Sequence, residues 1–198
     1  GSKLGERIWS QNSNYFAYTT VSAEGTTLWL TSRSNPERVH SLKGVNTTLQ
    51  SPRFMPDGRT LLVLLNPEDR GAPPQAPRVP SGPNIQTTSG GSSGVRTYQD
   101  MLTSAHDEAL FEHYTTTRLG IASSSTGQLQ RIGKPALFSS GSASPDGAYL
   151  LATRIVRPYS RLMPYYRFAN SIDVLDTSGK PVFNLAQLPV ADKVPLHG

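Results

Sequence analysis

Pro56-Asp57-Gly58-Arg59-Thr60-Leu61-Leu62-Val63-Leu64-Leu65 is a polar turn that runs straight into an unbroken burst of apolar β-formers. Asp-Gly supplies positive-φ positions at little steric cost, so the stretch reads as a tight turn opening a well-buried strand. The pattern returns as Pro145-Asp146-Gly147-Ala148-Tyr149-Leu150-Leu151-Ala152. A degenerate copy precedes both, Asn12-Ser13-Asn14-Tyr15-Phe16-Ala17-Tyr18. Aligned on their first residues, the first two turns lie 44 residues apart and the second and third 89, close to twice that. About 40–45 residues is what a four-stranded propeller blade needs. The same motif also serves isolated hairpins, so a repeated β architecture is the expectation rather than a necessity of the pattern.

The rest of the chain reads the same way. Between Lys3 and Ser41, β-branched and aromatic runs (Tyr15 to Val21, Thr26 to Thr31) are bounded by Ala23-Glu24-Gly25 and Ser34-Asn35-Pro36. That is the strand signature. Val39, Leu42 and Val45 suggest one more edge strand, enough for a first blade. Residues 66–97 hold six prolines and the run Ser89-Gly90-Gly91-Ser92-Ser93-Gly94. Such a stretch cannot sustain a helix or a central strand and predicts a long loop. Thr97-Tyr98-Gln99-Asp100 resembles a capping box, and apolar residues from Met101 to Phe111 recur at helical spacing. One or two short helices are therefore predicted over residues 98–114, with Asp107 and Glu108 suited to a helix N-terminus. Beyond it β patterning resumes at Arg118 to Ala122, Gln128 to Ile132, Ala136 to Phe138, and on either side of Thr177-Ser178-Gly179.

Only 17% of the 198 residues are charged, and there is no cysteine. A disulfide framework, a thiolate nucleophile and a Cys-ligated metal are excluded. The formal charge of +5 comes from scattered Lys and Arg, with no run of three. An ordinary basic surface is expected rather than the stripe that binds nucleic acid. No stretch approaches 18 apolar residues, so no membrane-spanning helix is predicted. Gly1-Ser2 reads as a cloning remnant, with no signal peptide after it.

Gly90-Gly91-Ser92-Ser93-Gly94 matches the G-x-S-x-G nucleophile elbow in letters only. The elbow needs a strand before it and a helix after it, and here a loop-like Pro/Ser stretch precedes it. A hydrolase using Ser92 with His106 or His113 is the least supported reading. The four histidines show no metal-binding spacing, and no cofactor motif is present. The segment Arg154 to Phe168 differs in kind, packing four arginines and three tyrosines into fifteen residues. Guanidinium forks beside rigid amphipathic rings suit carboxylate recognition. The simpler outcome is tyrosines packed between blades and solvated arginines.

Six segments in order carry a family likeness: Pro80-Ser81-Gly82-Pro83, Val95 to Leu102, Leu110-Phe111-Glu112-His113-Tyr114, Arg157-Pro158-Tyr159-Ser160, Arg167-Phe168, and Leu188-Pro189-Val190-Ala191-Asp192. In them the chain resembles the N-terminal β-propeller of glutamyl endopeptidase-like members of the prolyl oligopeptidase family of serine peptidases. The resemblance implies an all-β fold, a partial β-propeller of about three to four blades with a long Pro/Gly loop and a short helical insertion. Its divisions would be 1–65 for the first blades, 66–118 for loop and helix, and 119–198 for the later blades.

It further implies that the α/β-hydrolase domain carrying Ser, Asp and His lies outside this chain. The chain is then inactive alone, with that domain and a peptide substrate as partners, no nucleic acid, and self-association through open blade edges. No catalytic residue carries over, and neither metal nor cofactor is implied. The implied role is gating access and helping to select acidic peptides, with Arg157, Tyr159, Arg161 and Tyr165 as the substrate-facing set. The rival is an independent propeller-like scaffold, against which Val194 to Gly198 reads as a cut chain. Localisation stays open: periplasmic or secreted suits a bacterial source, an organelle a plant one.

Overall fold

The computed structural model describes residues 1–77 and 101–191. The Gly/Ser run with Ser92, the capping box at Thr97 and the chain end fall outside them. The twelve strands run antiparallel: β1 (Lys3–Trp9), β2 (Tyr15–Ser22), β3 (Gly25–Ser32), β4 (Asn35–Val45), β5 (Arg53–Phe54), β6 (Thr60–Leu65), β7 (Thr117–Ser123), β8 (Leu129–Ala136), β9 (Phe138–Ala143), β10 (Tyr149–Ile155), β11 (Asn170–Asp176) and β12 (Pro181–Leu188). Among the described residues one α-helix, α1 (Ala105–Thr115), interrupts them. Strands pair in sequence order as three four-stranded blades, β1–β4, β5–β8 and β9–β12. Blades 1 and 2 share a single ladder pair, Val45 with Leu65. The fold is a partial β-propeller.

Each turn motif joins the first strand of a blade to the second, and all three turns use the same bonds. The N–H of Ser13, Gly58 and Gly147 donates to the carbonyl of Ser10, Met55 and Ser144, respectively. The side-chain oxygens of Asn12, Asp57 and Asp146 accept from the backbone two residues on, at 3.1, 2.9 and 3.0 Å. This corrects the alignment by one residue: Asn12 corresponds to Asp57, not to Pro56. The Asx side chain, which can imitate a backbone turn, is the invariant element of the three copies, and the proline is dispensable.

With that register the packing follows. Leu61, Val63 and Leu65 of β6 point at blade 1, meeting Ala17, Leu28, Leu30, Leu42 and Val45. Leu62 and Leu64 point the other way, with Leu119 and Ile132, against Phe138, Leu150, Ala152 and Leu175 of blade 3. Blade 2 is thus buried on both faces, which is why its second strand reads as an unbroken apolar run instead of an alternating one. Blades 1 and 3 each keep a free face. On blade 1 it carries a ladder of aromatic rings, Trp9–Phe16, Phe16–Tyr18 and Tyr18–Trp29, with centroids 5.0, 6.0 and 6.1 Å apart. On blade 3 it carries exposed Leu151 and Phe183.

Two strands escape sequence detection. β5 is two residues long, and β9, Phe-Ser-Ser-Gly-Ser-Ala, is too polar to read as a strand. Buried Gln50 holds β9 from outside its own blade: its amide donates to the Gly141 carbonyl at 3.1 Å, and its carbonyl accepts from the Gly141 N–H. A side-chain amide thus replaces a strand neighbour. Of the range 98–114 predicted to hold one or two short helices, the described residues show one, Ala105–Thr115. Its cap is Ser104, which accepts from the Asp107 N–H at 3.1 Å while the Asp107 carboxylate reaches back to the Ser104 N–H at 3.0 Å.

Candidate functional site

The Arg/Tyr-rich segment and α1 come from different blades but from equivalent connections. The excursion holding α1 joins the second and third strands of blade 2, β6 to β7. Residues 156–169 join the second and third strands of blade 3, β10 to β11. Equivalent connections leave from the same end of neighbouring blades, so the two excursions meet there. Phe111 of α1 sits edge-on to Tyr159 at 5.4 Å and to Phe168 at 5.7 Å, and those two rings stack at 5.4 Å. With Leu137 and Ile155 beneath, the rings form a small third core that seats the helix.

On this seat the helix presents two acids one turn apart. Glu108 accepts from Arg157 Nη1 at 2.8 Å and from Arg161 Nε and Nη2 at 3.2 and 3.1 Å. Glu112 accepts from Arg157 Nε at 2.8 Å and from the Tyr159 hydroxyl at 2.7 Å. The Arg157 guanidinium also lies over the Tyr159 ring, 4.7 Å from its centroid. Hydrogen bonding by Arg157 holds the Glu112 carboxyl below its ordinary range against the opposing effect of burial, and Tyr159 adds to this. Burial first, then the Glu112 carboxylate, pushes the Tyr159 hydroxyl up. The bonds to Glu112 and Glu108 fix Arg157 as a cation at every accessible pH.

Three of the four residues picked from the sequence are therefore brought together: Arg157, Tyr159 and Arg161. Tyr165 stands apart, on a turn of 3-10 helix over Tyr165–Arg167. It lines an apolar hollow with Met101, Leu102, Phe111, Met163 and Phe168, and its ring packs on Tyr166 at 5.8 Å. The arginines are not simply solvated: both face carboxylates. Sequence reading missed Glu112 altogether and assigned Glu108 only to the helix dipole. The available signal was an acid pair at i and i+4, one acid for each of two arginines downstream. Arg157 is half-exposed, at 53% of its side chain, and Arg161 at 40%. Among the described residues, Arg157 Nη2 and Arg161 Nη1 donate no hydrogen bond.

Three blades with equivalent turns, and two excursions rising from one end, describe a β-propeller segment. No family model matches the chain. The β-propeller domain of the Trilobed protease from Pyrococcus furiosus superposes with a TM-score of 0.53 at 12% identity, covering 95% of this chain and 43% of that one. A prolyl endopeptidase superposes at 0.56 and 13% identity, covering 96% and 22%. In sequence, the probable chloroplastic glutamyl endopeptidase of Oryza sativa subsp. japonica is 34% identical over 99% of this chain and 22% of its own length. The Arabidopsis thaliana protein of the same name is 39% identical over 71% of this chain and 15% of its own. The chain thus spans about a fifth of the length of the curated relatives it matches. The fold these comparisons share with the chain is the β-propeller. In sequence, nearly the whole chain resembles the propeller region of glutamyl endopeptidase-like members of the prolyl oligopeptidase family.

Proposed function

We propose that this chain is the non-catalytic propeller portion of a glutamyl endopeptidase-like serine peptidase, gating access to a partner α/β-hydrolase domain and helping to select acidic peptides. The observation that carries the reading is the Arg157–Arg161 pair with its two helix carboxylates, exposed at one end of the blade stack. Two cations against two carboxylates make a neutral cluster. A substrate carboxylate therefore gains by exchange: it takes over the fork that Glu108 holds, or joins through the uncommitted Arg157 Nη2 and Arg161 Nη1. Bidentate geometry makes such an exchange selective for carboxylates. Tyr165 and the apolar hollow beside it would receive the neighbouring side chain. Gating follows from the seat of α1: moving the helix off Phe168 and Tyr159 breaks the same ion pairs that substrate competes for.

The test is hydrolysis of a chromogenic glutamyl peptide by this chain mixed with the separately produced hydrolase domain of a relative. The chain alone is expected to be silent and the mixture active. Arg157→Ala should lower kcat/KM for the glutamyl peptide about tenfold, the scale of one charge-assisted pair. Glu108→Gln should lower KM, because it frees the arginines. If Glu108→Gln and Arg157→Ala impair the mixture equally, the cluster is only a fastening for the helix and the selection reading fails.

A further inference from the structure

We propose that the hollow between blades 2 and 3 is a binding site for a small organic anion with an apolar body, such as a medium-chain carboxylate. It is separate from the Arg157 cluster and holds whether or not the chain selects acidic peptides.

The hollow exists because the two blades touch backbone to backbone at one point and diverge beside it. That point is Gly133 in β8 against Gly179 in the β11–β12 turn. The Gly133 N–H donates to the Ser178 carbonyl at 3.0 Å. Both glycines have positive φ, +60° and +84°. A Cβ on Gly133 would stand 3.2 Å from the Gly179 carbonyl oxygen, and one on Gly179 would collide with the Gly133 backbone. Only glycines allow this approach, so the contact is a built feature of the blade pair.

Beside it opens a cavity of about 510 Å³, within the range of small-molecule sites. Its floor is made of the buried side chains of Leu119, Phe138 and Leu175. Its charged lining is cationic, Lys134, Lys180 and Arg154, with Ser178 as a neutral polar neighbour. No carboxylate lines it. Two acids outside the lining interact with its residues. Asp173 takes the Arg154 guanidinium at 2.7 Å. The Asp176 carboxylate accepts from the Ser178 N–H and hydroxyl and the Lys180 N–H, at 2.9, 2.6 and 3.0 Å, and its charge also acts on the Lys180 ammonium. Neither lysine makes an ion pair with a described residue. An apolar floor under a cationic rim complements an amphipathic anion: the body displaces water from the floor while the head stays hydrated at the lysines.

Titration calorimetry of the chain with sodium octanoate, paired with amide NMR mapping, tests this. Octanoate should saturate one site, with shifts centred on Leu119, Phe138 and Leu175, and its affinity should fall as salt rises. Octanol, which has the body without the charge, and acetate, which has the charge without the body, should each bind at least about tenfold more weakly. Lys134→Ala with Lys180→Ala, both exposed, should weaken octanoate several-fold and leave octanol unchanged. Octanol binding as tightly as octanoate, an unaltered affinity in the double variant, or shifts spread over the free faces around Trp9 and Phe183 would each overturn the proposal.

Discussion

Ser13 occupies the left-handed region at φ 57°, where its counterparts in the other two turns are Gly58 at 62° and Gly147 at 74°. A side chain there costs roughly 1–2 kcal/mol of backbone energy. Gly147 has open space around it. Gly147→Ala should therefore destabilise by about 1 kcal/mol through backbone strain alone, read as a lower urea midpoint. Gly58→Ala should cost more, because its Cβ would collide with the Asn12 side chain. The Glu112 carboxyl gives a pH prediction. Its folded pKa is depressed, so its contribution to seating α1 is complete above the ordinary carboxylate range and is lost as pH falls through the lower folded value. Protection factors of the α1 amides, with the intrinsic pH dependence of exchange divided out, should fall below about pH 4, and Glu112→Gln should remove most of that fall. The turns were legible in the sequence because Asx-Gly chemistry is local. The Glu108–Arg161 and Glu112–Arg157 pairs were not, because their partners lie 53 and 45 residues apart and meet only once two blades stand side by side.

At the level of elements, equivalent positions carry unequal weight. Leu62 in β6 and Leu151 in β10 hold the same place in their blades, yet Leu62 is 1% exposed and Leu151 41%. Leu62→Ala should cost about 2–5 kcal/mol and Leu151→Ala under about 1, a contrast that thermal or urea unfolding would resolve. Equal costs would mean that the free face of blade 3 is covered in solution. The same asymmetry explains which strands the sequence revealed. β6 and β10 announced themselves through apolar runs. β9 did not, because its hold on the fold rests on Gln50 and on glycine and serine packed closely, neither of which leaves a hydrophobic pattern. The helix was legible in type but its start was not singled out, since Ser104-Ala105-His106-Asp107 carries the same cap pattern as Thr97 to Asp100 and the letters do not rank the two.

Across the whole molecule, every internal interface joins the Leu62-type face of one blade to the Leu61-type face of the next. The free faces of blades 1 and 3 are the unmatched halves of that rule, one aromatic and one aliphatic. Contiguous exposed apolar surface of this kind drives association. The isolated chain should show concentration-dependent sedimentation, and Phe183→Lys with Trp9→Lys should shift it toward monomer. The sequence displayed the repeat that generates this rule, but the one-residue error in aligning Asn12 would have turned the faces of blade 1 inside out. Blade 2 also carries the longer of the two excursions, and this bears on its synthesis. After Leu65 leaves the ribosome, about 50 residues must follow before β7 can pair with it. At about 5–20 residues per second that is a wait of several seconds, during which the most apolar strand of the chain has blade 1 as its natural shelter. The order of the blades along the polypeptide then acts as a timetable, with the first-made blade guarding the second until its missing half arrives.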